Sequence, residues 1–185
     1  MKEHVCPWWL SYAFDNPLRK LFHSPPRLLA PYVRPGMTCV DLGCGRGYFS
    51  LGLARLTGPA GRVFAVDRQE KMLGLLARRA ARAGLEGTIQ TSLAGRQGLG
   101  LERLNGQVDF ILCFWMLHEV RARAKFLAQA AALLKPGGRL MLTEPRVHVS
   151  LLNFEQSLEV ASRTGLEVEA RPQVAMSRCA LLRQL

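Results

Sequence analysis

The chain has 185 residues, 49% apolar and 21% charged, with 25 Lys and Arg against 14 Asp and Glu, for a formal charge of +11. That length suits one domain with its own core and makes a second substrate domain unexpected; the apolar share excludes a disordered chain. No apolar run approaches the ~18 residues that a membrane span requires.

The opening stretch MKEHVCPWWLSYAFDNPLRK carries an acid, a His and two Pro among its aromatics, which is unlike a signal peptide. Trp8, Trp9, Tyr12 and Phe14 make it aromatic-rich. It suits either an amphipathic segment packed on a sheet edge or a lid over an acceptor pocket. Asp15-Asn16-Pro17 reads as a helix start with Pro in the first turn. Residues 1–35 are thus expected to form a helical extension and possible lid, and residues 36–185 the main domain.

From there short β-branched apolar runs alternate with helical patterns. TCVDLG (38–43) is a strand, and residues 48–56 a short helix. RVFAVD (62–67) is a second strand. Residues 69–83 form a helix with Met72, Leu75, Leu76, Ala80 and Ala83 on one face, stopped by Gly84. TIQTS (88–92) is a third strand, followed by a glycine-rich loop over 93–106. VDFILCFWML (108–117) is the most continuously apolar strand. A helix over 121–135 breaks at Lys135-Pro136-Gly137-Gly138, because Pro cannot continue a helix. RLMLTE (139–144) is a fifth strand, and Ser150 caps a helix running to Thr164. LEVEARP (166–172) and SRCALLRQL (177–185) close the chain as strands.

Strands separated by helices of 10–15 residues imply βαβ units and a parallel sheet, with helices on both faces because the strands are apolar without alternation. The last two strands have no helix between them and should pair antiparallel at an edge. The expected class is α/β: a doubly wound, mostly parallel seven-stranded sheet with an antiparallel C-terminal edge strand.

In such sheets ligands bind beyond the carboxyl ends of the strands. Gly43, Gly45 and Gly47 let the chain turn tightly there and approach a ligand closely. Asp67 closes the next strand, 24 residues after Gly43, and can accept the ribose hydroxyls of a nucleoside. The spacing is G-x-G-x-G, whereas a dinucleotide fingerprint is G-x-G-x-x-G. Asp41, two residues before Gly43, would repel a pyrophosphate but suit a ligand carrying an ammonium and a sulfonium, as S-adenosylmethionine does.

The positive charge is spread along the chain, is carried mostly by Arg, and includes only five Lys. Residues 106–120 and 147–162 are net negative. The Arg clusters of 78–82 and 121–123 have the spacing of a solvated helix face, with no interleaved aromatics to stack on bases. Nucleic acid is a permitted partner but not the favoured one. The five cysteines are odd in number and show no zinc spacing, so reduced thiols in a cytoplasmic protein are expected, with no metal site.

VDLGCGRGYFS, VFAVDRQEKML, QVDFILCFWMLHEV and LLKPGGRLMLTEP resemble, in order, the motifs of class I S-adenosylmethionine-dependent methyltransferases. The leader and the tail RPQVAMSRCALLRQL look like a group of small prokaryotic methyltransferases. The resemblance covers the chain from about Pro35 onward. It implies a Rossmann-like fold and S-adenosylmethionine as cofactor. Gly43, Cys44, Gly45 and Gly47 would line its methionine part, Asp67 its ribose, and Arg68, Gln69 and Met72 its adenine. Phe114 and Met116 would face it. Many relatives place an acid after the third strand for the adenine amino group. Here the sequence is TSLAG, so Ser92, Leu93 or a backbone carbonyl stands in.

His118 is a candidate base or orienting group near the transferred methyl, or else a cap of the next helix or a partner of Glu119. Glu144 closes strand five on the same rim. His148 reads as a loop residue. Trp8, Trp9, Tyr12, Trp115 and His118 are the candidate contacts of a small-molecule acceptor. So short a chain implies an acceptor site that is small, open, or completed by a second copy in a homodimer. The competing readings are an RNA methyltransferase, a non-catalytic cofactor-binding or assembly protein, a thiol or metalloid methyltransferase using Cys44 or Cys113, and an NAD-dependent oxidoreductase. The glycine spacing and Asp41 disfavour the last.

Overall fold

The structure, a computed structural model, describes residues 22–95 and 98–185. After a short helix α1 (Pro25–Leu29), strands and helices alternate as the apolar pattern requires: β1 (Thr38–Leu42), α2 (Tyr48–Thr57), β2 (Arg62–Asp67), α3 (Glu70–Arg82), β3 (Ile89–Leu93) and β4 (Val108–Phe114). They are followed by α4 (Arg123–Leu133), β5 (Leu134–Pro145), α5 (Leu151–Ser162), β6 (Leu166–Ala170) and β7 (Ser177–Gln184). The seven strands form one sheet in the order β3-β2-β1-β4-β5-β7-β6. Pairings from β3 through β5 are parallel, and β7 runs antiparallel to both β5 and β6. This is the expected Rossmann-like α/β architecture. The antiparallel strand β7 is inserted next to β5, and β6 takes the edge.

Neighbouring residues on a strand project to opposite faces. Val40 and Leu42 accordingly enter a core with Leu127, Ala130, Phe154 and Leu158 of α4 and α5. Cys39 enters the other core, with Leu53, Leu76, Ala80 and Leu29 of α2, α3 and α1. In α3, Met72, Leu73, Leu76 and Ala80 are the buried stripe, at helical spacing. In α5, Ser150 Oγ accepts from the Asn153 amide at 3.1 Å, the expected N-cap, of a kind that contributes about 1 kcal/mol. The chain crosses from one face to the other between β3 and β4, so the strand order reverses at the β1–β4 pair. A crevice opens outside that switch point.

Three boundaries differ from the sequence expectation. The fourth strand stops at Phe114 instead of running to Leu117, because Trp115 takes a left-handed φ of 58° that no strand can continue. The fourth helix is shorter at both ends. It has no side-chain cap at Ala122, and its last turn yields to an extended Leu134 before the Lys135-Pro136 pair, where a residue preceding Pro disfavours helix. Lys135-Pro136-Gly137-Gly138 is then not a free turn. It runs within β5 as an irregularity, with Leu134 opposite Val108 and Arg139 opposite Phe110.

Candidate functional site

The loop after β1 lies at the switch point. Gly43, Gly45 and Gly47 all have positive φ, 71°, 52° and 80°. Two of them are tight for a second reason. A Cβ on Gly43 would sit 2.8 Å from Met116 Cγ, and one on Gly47 only 2.0 Å from Leu76 Cδ1. A Cβ on Gly45 would meet nothing within 4 Å, so that face of the loop is open. The Gly43 and Cys44 amides both donate to the Val66 carbonyl, at 2.9 and 3.0 Å, tying the loop to β2.

Asp67 is half-buried at the end of β2. Its Oδ2 accepts from the Gly45 amide and its Oδ1 from the Gln69 amide, each at 2.9 Å. Burial pushes its carboxyl up, and the bonds from the Gln69 and Gly45 amides oppose that shift without cancelling it. The Arg68 amide adds a third bond, and a carboxylate accepts about four, so acceptor capacity remains for a ligand hydroxyl. Asp41 is buried below the loop and accepts from Ser50 Oγ at 2.5 Å. Cys44 is buried, and burial together with the Asp41 and Asp67 charges holds its thiol well above the ordinary range. Burial does the same to Cys113, helped by Glu144 and Asp41. Neither thiol is poised as a nucleophile.

The remaining expected cofactor contacts lie around this loop. Met72 is buried on α3, Gln69 half-buried and Arg68 exposed. Ser92 is half-buried and Leu93 exposed at the end of β3. Met116 overhangs Gly43. Phe114 instead turns its ring into an aromatic cluster, 4.4 Å from the Phe49 ring, 5.2 Å from His23 and 5.4 Å from Trp115.

The other half of the rim is built from the ends of β4 and β5. Trp115 is fixed in its strained conformation by its amide on the Thr143 carbonyl at 2.7 Å and its indole N–H on Ser177 Oγ at 2.9 Å. Beyond it a 3-10 turn spans Leu117–Glu119. Glu144, almost fully buried, accepts from the Leu117 amide on Oε1 and from the His118 amide on Oε2, both at 3.0 Å. Oε2 also lies 2.8 Å from His118 Nδ1. That bond raises the His118 pKa above its ordinary value, against the opposing effect of burial. Sequence reasoning placed His118 and Glu144 on one rim and offered Glu119 as one alternative partner of His118. The structure pairs it with Glu144.

Sequence reasoning also missed His23, Ser50 and Ser177, which position the site. His23 is buried, its Nε2 lies 2.8 Å from the Ala175 carbonyl, and its ring meets Trp115 edge-on at 5.0 Å. No local signal marks His23 and Ser177, whose partners Ala175 and Trp115 are remote in the chain, and Ser50 meets Asp41, nine residues away, only in the folded chain. Trp8, Trp9 and Tyr12 lie outside the described residues. Among the described residues no group of His, Cys, Asp and Glu could hold a metal ion.

With this geometry in hand, comparison with known proteins is informative. The family described as "Methyltransferase domain" matches residues 34–173. A ribosomal protein L11 methyltransferase of Pelotomaculum thermopropionicum is 38% identical over 115 residues, 62% of this chain and 34% of that protein. A ubiquinone biosynthesis O-methyltransferase of Xanthomonas campestris is 32% identical over 141 residues, 74% of this chain and 55% of that protein. The crystal structure of a SAM-dependent methyltransferase from Aquifex aeolicus superposes with a TM-score of 0.87 at 21% identity, covering 98% of this chain and 100% of that one. The chain spans between about a third and just over half the length of the curated relatives described here. The chain belongs to the methyltransferase-domain family.

Proposed function

We propose that this methyltransferase-domain chain binds S-adenosylmethionine across the ends of β1, β2 and β4 and delivers its methyl group to a small-molecule acceptor. The observation that carries the reading is the tie between the glycine loop and Asp67, with the Gly45 amide on one carboxylate oxygen and the Gln69 amide on the other. The carboxylate is held at a fixed place beside an open stretch of backbone, and it keeps acceptor capacity for a ribose hydroxyl. The cradle fits the cofactor on its own features. Any side chain at Gly43 would collide with Met116, while the space over Gly45 is free. Two acids, Asp41 and Asp67, flank the loop and favour a cationic ligand over a pyrophosphate.

When bound, S-adenosylmethionine supplies a methyl group on a positively charged sulfur. The chain's own residues divide the work of holding it. Asp41, Gly43, Cys44, Gly45 and Gly47 line the amino-acid end, with the buried Asp41 carboxylate supplying negative potential beneath the loop. Asp67 holds the ribose. Arg68, Gln69 and Met72 flank the base, with Ser92 and Leu93 at its amino edge. Met116 and the backbone at Phe114 close the β4 side and help to exclude water. Trp115 and His118 face the acceptor.

The ubiquinone-biosynthesis relative favours a small molecule as acceptor, and the diffuse positive charge does not argue for RNA. No helix among the described residues is long and apolar enough to cross a membrane. The four described cysteines are free thiols in buried positions, which supports the reducing setting of the cytoplasm.

Titration calorimetry with S-adenosylmethionine tests the reading. Micromolar binding is expected, with Asp67→Ala weakening it by about 100-fold, as for loss of a charge-assisted pair of bonds. A melting curve shows that the variant is folded. Absence of binding, or an affinity unmoved by the substitution, refutes the assignment.

A further inference from the structure

Glu144 and His118 form a hydrogen-bonded pair on the β4–β5 side, separate from the bonds that tie the glycine loop to Asp67. Both Glu144 oxygens are committed, Oε1 to the Leu117 amide and Oε2 to the His118 amide and to Nδ1 at 2.8 Å. The side chain is only 3% exposed, and that of His118 is 24% exposed. A carboxylate can only accept, so Nδ1 carries the proton and the neutral ring keeps its free lone pair on Nε2. Among the described residues nothing hydrogen-bonds Nε2. The ring stacks on His148, with centroids 5.8 Å apart and planes 16° apart, which fixes its plane as well as its edge. Two residues upstream, Met116 overhangs Gly43, so the turn that carries the ring adjoins the glycine loop. The exposed residues next to His148 in sequence include three apolar ones together with Arg146 and Ser150. Val147 is 85% exposed, and Leu151 and Leu152 are exposed beside it in sequence.

We propose that His118 Nε2 takes a proton from the acceptor, that Glu144 positions it, and that the acceptor is an apolar molecule whose attacking atom is a phenol-type hydroxyl oxygen. The inference rests on the methyltransferase reading above. The step balances. The O–H proton passes to Nε2, the oxygen's electron pair forms the new bond to the methyl carbon, and the pair of the broken C–S bond stays on sulfur, which becomes neutral. The imidazolium that results is held against the Glu144 carboxylate and then gives its proton to water.

The charged and titratable groups facing the ring are Glu144 from β5, Glu119 from its own turn, Arg123 from α4 and His148 from the loop after β5. Glu144 and Glu119 stabilise the imidazolium and Arg123 opposes it. A phenol ionises near ~10, close enough to imidazole for direct transfer. An aliphatic alcohol is far too weak an acid for the same base.

The experiment has two arms on the full chain. In the first, imidazole NMR of wild type, His118→Gln and Glu144→Gln reads the tautomer and pKa of His118, with calorimetry of S-adenosylmethionine alongside. The expected result is an Nδ1–H tautomer, a pKa above the ordinary value that falls in Glu144→Gln, and cofactor affinity within about threefold in both variants. In the second, labelled methyl transfer is followed to a panel of substituted phenols and catechols, and to anilines and alkylamines of matching shape. Phenols should be methylated, with kcat/KM rising through the pKa measured for His118. His118→Gln should lower it about 100-fold or more, and Glu144→Gln should shift the pH profile. An Nε2–H tautomer, a pKa unmoved by Glu144→Gln, transfer to the amines alone or to neither panel, or phenol transfer indifferent to His118→Gln overturns the proposal. Failure of wild type to bind S-adenosylmethionine instead overturns the reading beneath it.

Discussion

At the ends of β1 and β2 the site is made of backbone. Three glycines carry the turn, two amides hold Asp67, and the functional groups come from residues 41–47 and 67–69. At the ends of β4 and β5 it is made of side chains. There Glu144 holds a turn 26 residues away, Ser177 holds the Trp115 indole, and His23 fills the space behind it. The first half offers a rigid cradle with little chemistry of its own. The second offers a titratable ring on a turn that one buried carboxylate keeps in place. The contrast teaches that cofactor affinity and acceptor chemistry should be separable by mutation.

The largest effect is expected in the cradle. Gly47→Val places side-chain atoms where Leu76 already stands, 2.0 Å from the new Cβ, at a φ of 80°. It should cost about 3–5 kcal/mol in urea unfolding and abolish cofactor binding. A variant of near wild-type stability would show that the loop is not rigid. Next, Glu144→Ala leaves two amides and a ring nitrogen without their acceptor and should destabilise the fold by about 3 kcal/mol. Cofactor affinity in the folded fraction should stay within a few-fold. An equal loss of affinity would mean that the two halves are one unit.

Third, pH distinguishes the halves. Burial raises the Asp67 pKa, so cofactor affinity should be complete above that value. It should fall, by up to about tenfold per pH unit, once pH drops through it, starting above the usual Asp value of ~3.9. The free protein should respond with the opposite sign. Its folded state holds the Asp67 proton more tightly, so this group lowers stability as pH rises from the unfolded to the folded pKa. Calorimetry and melting curves across pH 4–7 read both; parallel changes would contradict the assignment.

The smallest effect belongs to the other half. The His118 pKa is raised by Glu144. The stability it contributes is fully present below the unfolded value of ~6.5 and lost as pH rises through the folded value. The melting-temperature gap between wild type and His118→Gln should therefore be wider at pH 6 than at pH 9. A gap that widens with pH would remove the ion pair from the account.

The two halves were unequally legible in the sequence. Strand and helix existence followed from apolar spacing, and the cradle followed from VDLGCGRG and the distant Asp67, because a glycine turn and a strand-ending acid are local patterns. The end of the fourth strand was not legible. FWML continues the apolar run, and only the bonds of Trp115 to Thr143 and Ser177 show that the chain turns there. The partner of His118 was not legible either, since the adjacent Glu119 is the obvious local candidate and Glu144 becomes one only when β4 and β5 lie side by side.

The sequence by itself thus determined the alternation of elements, the doubly wound sheet and the glycine cradle, all of which rest on backbone conformation and short-range periodicity. The tertiary structure alone decided which carboxylate holds His118, which nitrogen of the ring is left free, and which residues brace Trp115. Those outcomes depend on the sheet order and on burial, and neither is a property of any short stretch of chain.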